Sequence, residues 1–93
     1  MEQQEKLENI KEYLRVRKDV AVADDKYNAT MKEYALGCKK AIDEIEAVCD
    51  DFTRLERVVY ETCATFNRNK ITTYRCGYIH IYDKVKRELE RKY

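Results

Sequence analysis

The chain has 93 residues, of which 40% are charged and 44% are hydrophobic, and its 19 basic residues nearly balance its 18 acidic ones. This length predicts one small domain over residues 1–93, and the balanced charge provides no overall field that would draw the chain onto nucleic acid or a membrane. The longest apolar runs span only a few residues, too few for a membrane-spanning helix, and the polar N-terminus has no signal-peptide pattern. We therefore expect a cytoplasmic protein with free cysteines.

The first predicted element is a helix over about residues 3–18, where Leu7, Ile10 and Leu14 recur at helical spacing. The segment that follows, KDVAVADD, breaks this pattern because Val20 and Val22 alternate and two aspartates come next. The sequence therefore predicts a short connection between the first helix and the second.

The strongest pattern is a heptad seam in the middle of the chain, where apolar positions alternate steps of three and four residues from Tyr27 to Phe66. This seam predicts one long central helix over about residues 25–67. Gly37 and the potential N-cap Asp51 are the two places where the helix could break. Because the apolar phase continues through both, the pattern favours a continuous helix.

The segment TTYRCGYIHIYDK, residues 72–84, is compatible with a strand by composition and with a helix by spacing. Threonine, tyrosine and isoleucine favour strands, but an isolated pair of strands is only marginally stable. Tyr74, Tyr78, Ile81 and Val85 step by four, three and four, and the charged tail beyond them has helical ion-pair spacing. The spacing therefore favours a third helix here.

The predicted lengths constrain how these helices pack. A central helix of about forty residues would extend roughly 60 Å, far longer than a compact domain of this size. The N- and C-terminal helices are expected to fold back on its two halves, which leaves part of each apolar face uncovered. We predict an all-α fold whose helical bundle is completed by dimerisation, and a bent central helix that closes a monomeric bundle is the alternative.

Catalytic and metal-binding patterns are weak. The chain has no serine, one histidine and no glycine-rich phosphate loop, so we expect neither enzyme activity nor a cofactor. Cys76 and His80 are four residues apart on the predicted helix, and Cys63 precedes the turn that leads into it. These three residues are the candidate metal ligands, but they lack a fourth, and buried thiols are the expectation we prefer.

The segment CATFNRNKITTYR resembles the middle of a helix-turn-helix, with Asn67 at the turn and Asn69 opening a second helix. The resemblance implies a dimeric DNA-binding transcriptional regulator that uses residues 57–80, with its contacts near the start of the second helix. The candidate nucleic-acid-binding residues are Arg68, Lys70, Thr72, Thr73 and Arg75.

Three tyrosines, Tyr74, Tyr78 and Tyr82, share one face of the last predicted helix. Tyrosine combines a rigid apolar ring with a polar tip and is enriched at binding surfaces, so this face predicts a docking surface for a protein partner of unknown identity. We expect a non-enzymatic, homodimeric protein–protein interaction module that acts as an adaptor, inhibitor or regulator, of the kind found among small microbial or phage proteins. The balanced net charge ranks this function above DNA binding.

Overall fold

A computed structural model describes residues 2–91, which fold into four helices joined by short links. The helices are α1 (Glu2–Tyr27), α2 (Lys32–Glu46), α3 (Phe52–Thr65) and α4 (Thr73–Glu90), and a 3-10 turn (Ala29–Met31) precedes α2. The described residues contain no strand. The all-helical prediction is confirmed, and so is the preference for a helix in the segment TTYRCGYIHIYDK.

The first helix is longer than its apolar pattern predicts. The segment KDVAVADD belongs to α1, so the prediction of a connection after residue 18 is wrong. Contacts on two sides explain the difference: Ala21 is buried in the core, and Lys18 Nζ lies 3.2 Å from Glu46 Oε1 on α2. The two valines and three aspartates of this segment have low helix propensity, so these tertiary contacts outweigh the local preference.

The predicted central helix over residues 25–67 is instead two helices, α2 and α3, and this part of the prediction is wrong. Residues 47–50 form a turn, and Asp51 has an extended backbone with φ −132° and ψ 108°. The Asp51 carboxylate accepts hydrogen bonds from two backbone N–H groups in the first turn of α3, at 3.0 and 3.3 Å, as an N-cap does. Val48 and Cys49 stay buried through the turn, so the apolar pattern continues across the break.

The break lets α3 turn away from α2 and pack against α4. The described chain measures 41 × 28 × 22 Å along its principal axes, with a radius of gyration of 13.2 Å. These dimensions are those of a compact bundle, whereas an unbroken central helix would extend roughly 60 Å. The break before α3 therefore gives the described chain its compact shape.

All four helices contribute to one hydrophobic core. Its largest fully buried side chains are Tyr82, Ile10, Leu14, Ile42, Ile45, Leu55, Ile81, Val59, Val85 and Cys38. The most extensive helix–helix contact is between α2 and α4, where Gly37 and Gly77 allow the two backbones to approach closely. Over residues 2–91, no helix has the combined length and hydropathy that crossing a bilayer requires.

Candidate interaction sites

Two of the three tyrosines predicted to bind a partner share one carboxylate. The hydroxyl groups of Tyr78 and Tyr82 both donate to Glu44 Oε1 on α2, at 2.5 and 2.8 Å. Tyr82 is fully buried, whereas Tyr74 and Tyr78 are half-buried. The fold therefore presents Tyr74 and Tyr78 at the surface, while Tyr82 lies in the core and helps to hold Tyr78 in place.

Both phenols near Glu44 are protonated at neutral pH. Burial, and then the hydrogen bond to Glu44, raises the pKa of Tyr78 to about 12. The same two causes, in the same order, raise the pKa of Tyr82. The second carboxylate oxygen of Glu44 lies 3.9 Å from Lys40 Nζ. Glu44 thus accepts two hydrogen bonds from α4 and remains near a cation, which ties α2 to α4.

Tyr74 and Tyr78 border a shallow pocket of about 240 Å³. Its lining residues are Lys40, Phe66, Tyr74, Arg75 and Tyr78. The Arg75 guanidinium lies 4.5 Å from the centroid of the Phe66 ring, and the Phe66 and Tyr78 rings stack at 6.3 Å. We call this pocket and its rim the tyrosine surface. Its aromatic rings and cationic edge are the composition that protein interfaces favour.

Two of the five candidate nucleic-acid-binding residues shape the start of α4. The Thr72 hydroxyl accepts a hydrogen bond from the backbone N–H of Arg75 at 3.2 Å, which makes Thr72 the N-cap of the helix. The Arg75 guanidinium donates to the backbone carbonyls of Lys70 (2.8 Å) and Asn67 (3.2 Å). Thr72 and Arg75 therefore hold the link between α3 and α4 in shape.

The other three candidates lie at the same link. Arg68 donates two hydrogen bonds to the carboxylate of Asp83 on α4, at 3.1 and 3.3 Å. Lys70 and Thr73 are exposed, and within residues 2–91 their side chains form no hydrogen bond or ion pair. Lys70 is thus the one cation of this set whose side chain has no partner in the described chain.

The three candidate metal ligands do not converge. Cys63 is buried on α3, with its sulfur 3.8 Å from Asp83 Oδ1. Cys76 is exposed on α4, and His80 packs its ring 6.1 Å from that of Tyr34. Over the part of the chain that the structure describes, no three His, Cys, Asp or Glu side chains are close enough to hold a metal ion. The absence of bound metal remains a prediction.

The pKa values of the buried thiols and of His80 are shifted in the directions that favour the neutral forms. Burial raises the pKa of the Cys38, Cys49 and Cys63 thiols, which makes them less reactive. Burial, and then the positive charges of Arg17 and Lys84, lowers the pKa of His80. These groups are therefore neutral at physiological pH.

Exposed apolar side chains concentrate in the C-terminal half of α1 and the turn that follows it. Seven large hydrophobic side chains are exposed among the described residues, and five of them lie between residues 16 and 31. Val16, Val20, Ala23 and Tyr27 follow one another at steps of four, three and four, so they lie on one side of the helix. We call these four residues the α1 face. The sequence pattern did not predict this face, because the alternation at Val20 and Val22 indicated a connection.

A groove of about 390 Å³ lies between the N-terminal half of α1 and the C-terminal half of α4. Its lining residues are Asn9, Ile10, Tyr13, Lys84, Val85, Arg87, Glu88 and Arg91. Ile10 and Val85 are buried at its floor, whereas Lys84 and Arg87 are exposed at its edge. We call it the α1–α4 groove. Nothing in the sequence pattern indicated it, because it depends on how two distant helices pack.

Comparison with known proteins identified no relative of this chain. No protein-family model, no curated protein and no solved structure matches the chain. The surfaces described above are therefore the basis for inferring what the protein does.

Proposed function

We propose that this protein is a non-enzymatic, cytoplasmic protein–protein interaction module, an adaptor, inhibitor or regulator, that dimerises through the α1 face. The observation that carries the proposal is the exposure of apolar side chains on that face. Val16, Val20 and Tyr27 are 45%, 40% and 78% exposed, although they lie on one side of a single well-formed helix.

Exposed apolar surface of this kind is stabilised by a partner. Each square ångström of apolar surface removed from water contributes about 25 cal/mol. The steps of four, three and four in the α1 face are those of a coiled-coil seam, the arrangement in which two helices bury such positions against each other. A second copy of α1 offers the same steps, so the face is complementary to itself under two-fold symmetry.

The charges beside the α1 face favour an antiparallel pair. When Val16 packs opposite Tyr27 of a second copy, Asp19 on one helix lies opposite Lys26 on the other, and the two charges attract. In a parallel pair, Asp19 would instead lie opposite Asp24 of the second copy. In that arrangement, a residue that flanks the seam lies opposite the residue five positions later on the other helix. Like charges at that position destabilise the parallel arrangement, so we propose the antiparallel dimer.

The tyrosine surface is the proposed docking surface for a different protein. Tyr74 and Tyr78 supply its exposed aromatic area, and Tyr82 positions Tyr78 through their shared hydrogen bonds to Glu44. The residues of the tyrosine surface lie outside α1, so this surface is separate from the α1 face. DNA binding through residues 57–80 is the alternative function, and it ranks lower because Arg68 and Arg75 already bond within the chain.

Sedimentation equilibrium of the full chain over a concentration series tests the dimer. Val20→Glu places two like charges inside the proposed interface, so we expect a monomer at concentrations where the native chain is a dimer. Val22→Glu is the matched control, because Val22 is exposed to a similar extent (46%) on the same helix but lies about 200° around the helix axis from Val20. A native chain that stays monomeric, or equal effects of the two substitutions, would exclude dimerisation through the α1 face.

A further inference from the structure

We propose that the α1–α4 groove binds an acidic peptide segment of a partner protein, with a large apolar side chain of the peptide seated on the floor of the groove. This site goes beyond the proposed dimer and does not require it, because the α1 residues that line the groove, 9–13, precede the α1 face, which begins at Val16. Three properties of the groove support the proposal: its floor, its charges and an unpaired hydrogen-bond donor.

The floor of the groove is apolar and held in place by the core. Ile10 and Val85 are each 1% exposed, and the ring of Tyr13 lies beside them. The groove volume of about 390 Å³ lies in the range of sites that accept small ligands or single side chains of a peptide. A leucine or phenylalanine side chain would lose its water there without requiring the floor to move.

The edge of the groove carries unpaired positive charge. Within residues 2–91, Lys84 and Arg87 form no ion pair. The one carboxylate that lines the groove, Glu88, accepts a hydrogen bond from Asn9 at 3.0 Å and lies 3.6 Å from the guanidinium of Arg91. The acidic residue of the groove is therefore already engaged, and the remaining charge attracts an anion.

One hydrogen-bond donor that lines the groove has no acceptor. The Tyr13 hydroxyl is buried and has no hydrogen-bond partner in the described chain. This hydroxyl can donate a hydrogen bond, and carboxylates accept such bonds strongly. The unmet groups that line the groove are thus one donor and two cations, which is the complement of an acidic ligand.

The shape and the amount of charge favour a peptide over a nucleic acid. The groove follows two antiparallel helices, because Lys6 near the start of α1 donates to the carbonyl of Leu89 near the end of α4 at 2.7 Å. An extended peptide can lie along such a groove and place both acidic and apolar side chains in it. Nucleic acid binding depends on many phosphate contacts, whereas this edge offers two unpaired cations beside an apolar floor.

Amide chemical shifts of the full chain, recorded by ¹⁵N NMR during peptide titration, test the proposal. The probe is the peptide acetyl-EELFEE-amide, and the charge control is acetyl-KKLFKK-amide. We expect the acidic peptide to shift the amides of residues 9–13 and 84–88, and the basic peptide to leave them unchanged. Equal binding of both peptides, or shifts confined to other parts of the chain, would overturn the proposal.

Two double charge reversals locate the binding charges. K84E/R87E reverses the edge of the groove, and R54E/R57E makes the same change at the same spacing on the exposed side of α3. We expect K84E/R87E to weaken peptide binding at least tenfold and R54E/R57E to change it less than twofold. Equal weakening would mean that the peptide senses net charge alone, and the groove would then not be the site.

Two further measurements separate this proposal from its alternatives. Inorganic phosphate or duplex DNA that binds the same residues more tightly than the acidic peptide would overturn the assignment of a peptide. Sedimentation of Val20→Glu with and without the acidic peptide separates the groove from the dimer. A monomeric Val20→Glu chain that retains peptide binding supports two independent sites. Loss of peptide binding in this folded variant would show that the groove depends on the dimer.

Discussion

Gly77 on α4 lies directly against the backbone carbonyl of Tyr34 on α2, in the space that a Cβ would need. The relationship is reciprocal, because Gly37 on α2 lies in the same way against the carbonyl of Tyr74 on α4. Each glycine follows the tyrosine of its own helix by three residues. The close approach also lets the Cys38 thiol donate to the Gly77 carbonyl at 3.4 Å.

Gly77→Ala is therefore expected to destabilise the protein. Alanine would favour the isolated helix by about 1 kcal/mol, but its Cβ would collide with the backbone at the crossing. Forcing extra volume into a packed site costs typically 1–3 kcal/mol, and we expect a net loss of about 1–2 kcal/mol because the contact is with backbone that cannot easily move. Urea unfolding measures it, with Cys76→Ala at the neighbouring exposed position as the control. An increase in stability would show that the helices do not approach this closely.

Asp51→Ala tests the break between α2 and α3. Loss of an N-cap side chain costs about 0.5–2 kcal/mol, and the Asp51 carboxylate accepts two hydrogen bonds from the backbone of α3. Asp50→Ala is the matched control, because Asp50 is exposed in the turn and caps nothing. Urea unfolding should separate the two variants by about 1 kcal/mol. Equal stability would favour a helix that continues through this region.

Tyr82→Phe tests the hydrogen bonds that join α4 to α2. The substitution leaves Glu44 with one phenolic donor instead of two, and a hydrogen bond to a charged group contributes about 1.5–3 kcal/mol. We expect a loss of that order in the free energy of unfolding. Tyr60→Phe, on an exposed part of α3, should change it by no more than about 0.5 kcal/mol. Similar losses in both variants would mean that Glu44 is not bound by Tyr82.

The raised pKa of Tyr78 predicts a loss of stability at high pH. Its pKa is about 12 in the folded chain and 10.0 without the fold, so the folded state keeps a proton that the unfolded state releases between these values. The stabilisation is complete below about pH 10 and is lost as the pH rises towards 12. Urea midpoints between pH 9 and 11 should fall less steeply in Tyr78→Phe than in the native chain. Parallel slopes would show that Tyr78 does not contribute.

A charge exchange tests the orientation of the proposed dimer. Asp19→Lys should weaken dimerisation several-fold, because it places like charges opposite each other at both symmetry-related contacts. The double variant D19K/K26D should restore most of the affinity, since it exchanges the two charges of the same pair. Sedimentation equilibrium at low and high salt measures the effect, which should shrink as salt screens the charges. Failure of the double variant to recover would exclude the antiparallel arrangement.

Periodicity in the sequence was sufficient to predict an all-helical fold, but not the number of helices or where they end. Apolar spacing predicted that residues 72–84 form a helix against their strand-like composition, because burial of one face outweighs local β propensity. It also placed Tyr74, Tyr78 and Tyr82 on one side of that helix. Asp51 was visible as a potential cap, yet a cap contributes only about 1 kcal/mol, and the apolar pattern continues through it. Local sequence therefore could not choose between one helix and two.

Packing between residues distant in the chain settled the rest. The sequence marked Gly37 as a place where a helix could break. The structure shows that Gly37 and Gly77 each leave space for the backbone of the other helix. The alternation at Val20 and Val22 suggested a connection, whereas contacts between α1 and α2 keep this segment helical. Spacing along a helix predicts which side chains lie on the same side, but their burial depends on the helix packed against that side. Tyr82 is fully buried, for example, whereas Tyr78 on the same side of α4 is half-buried.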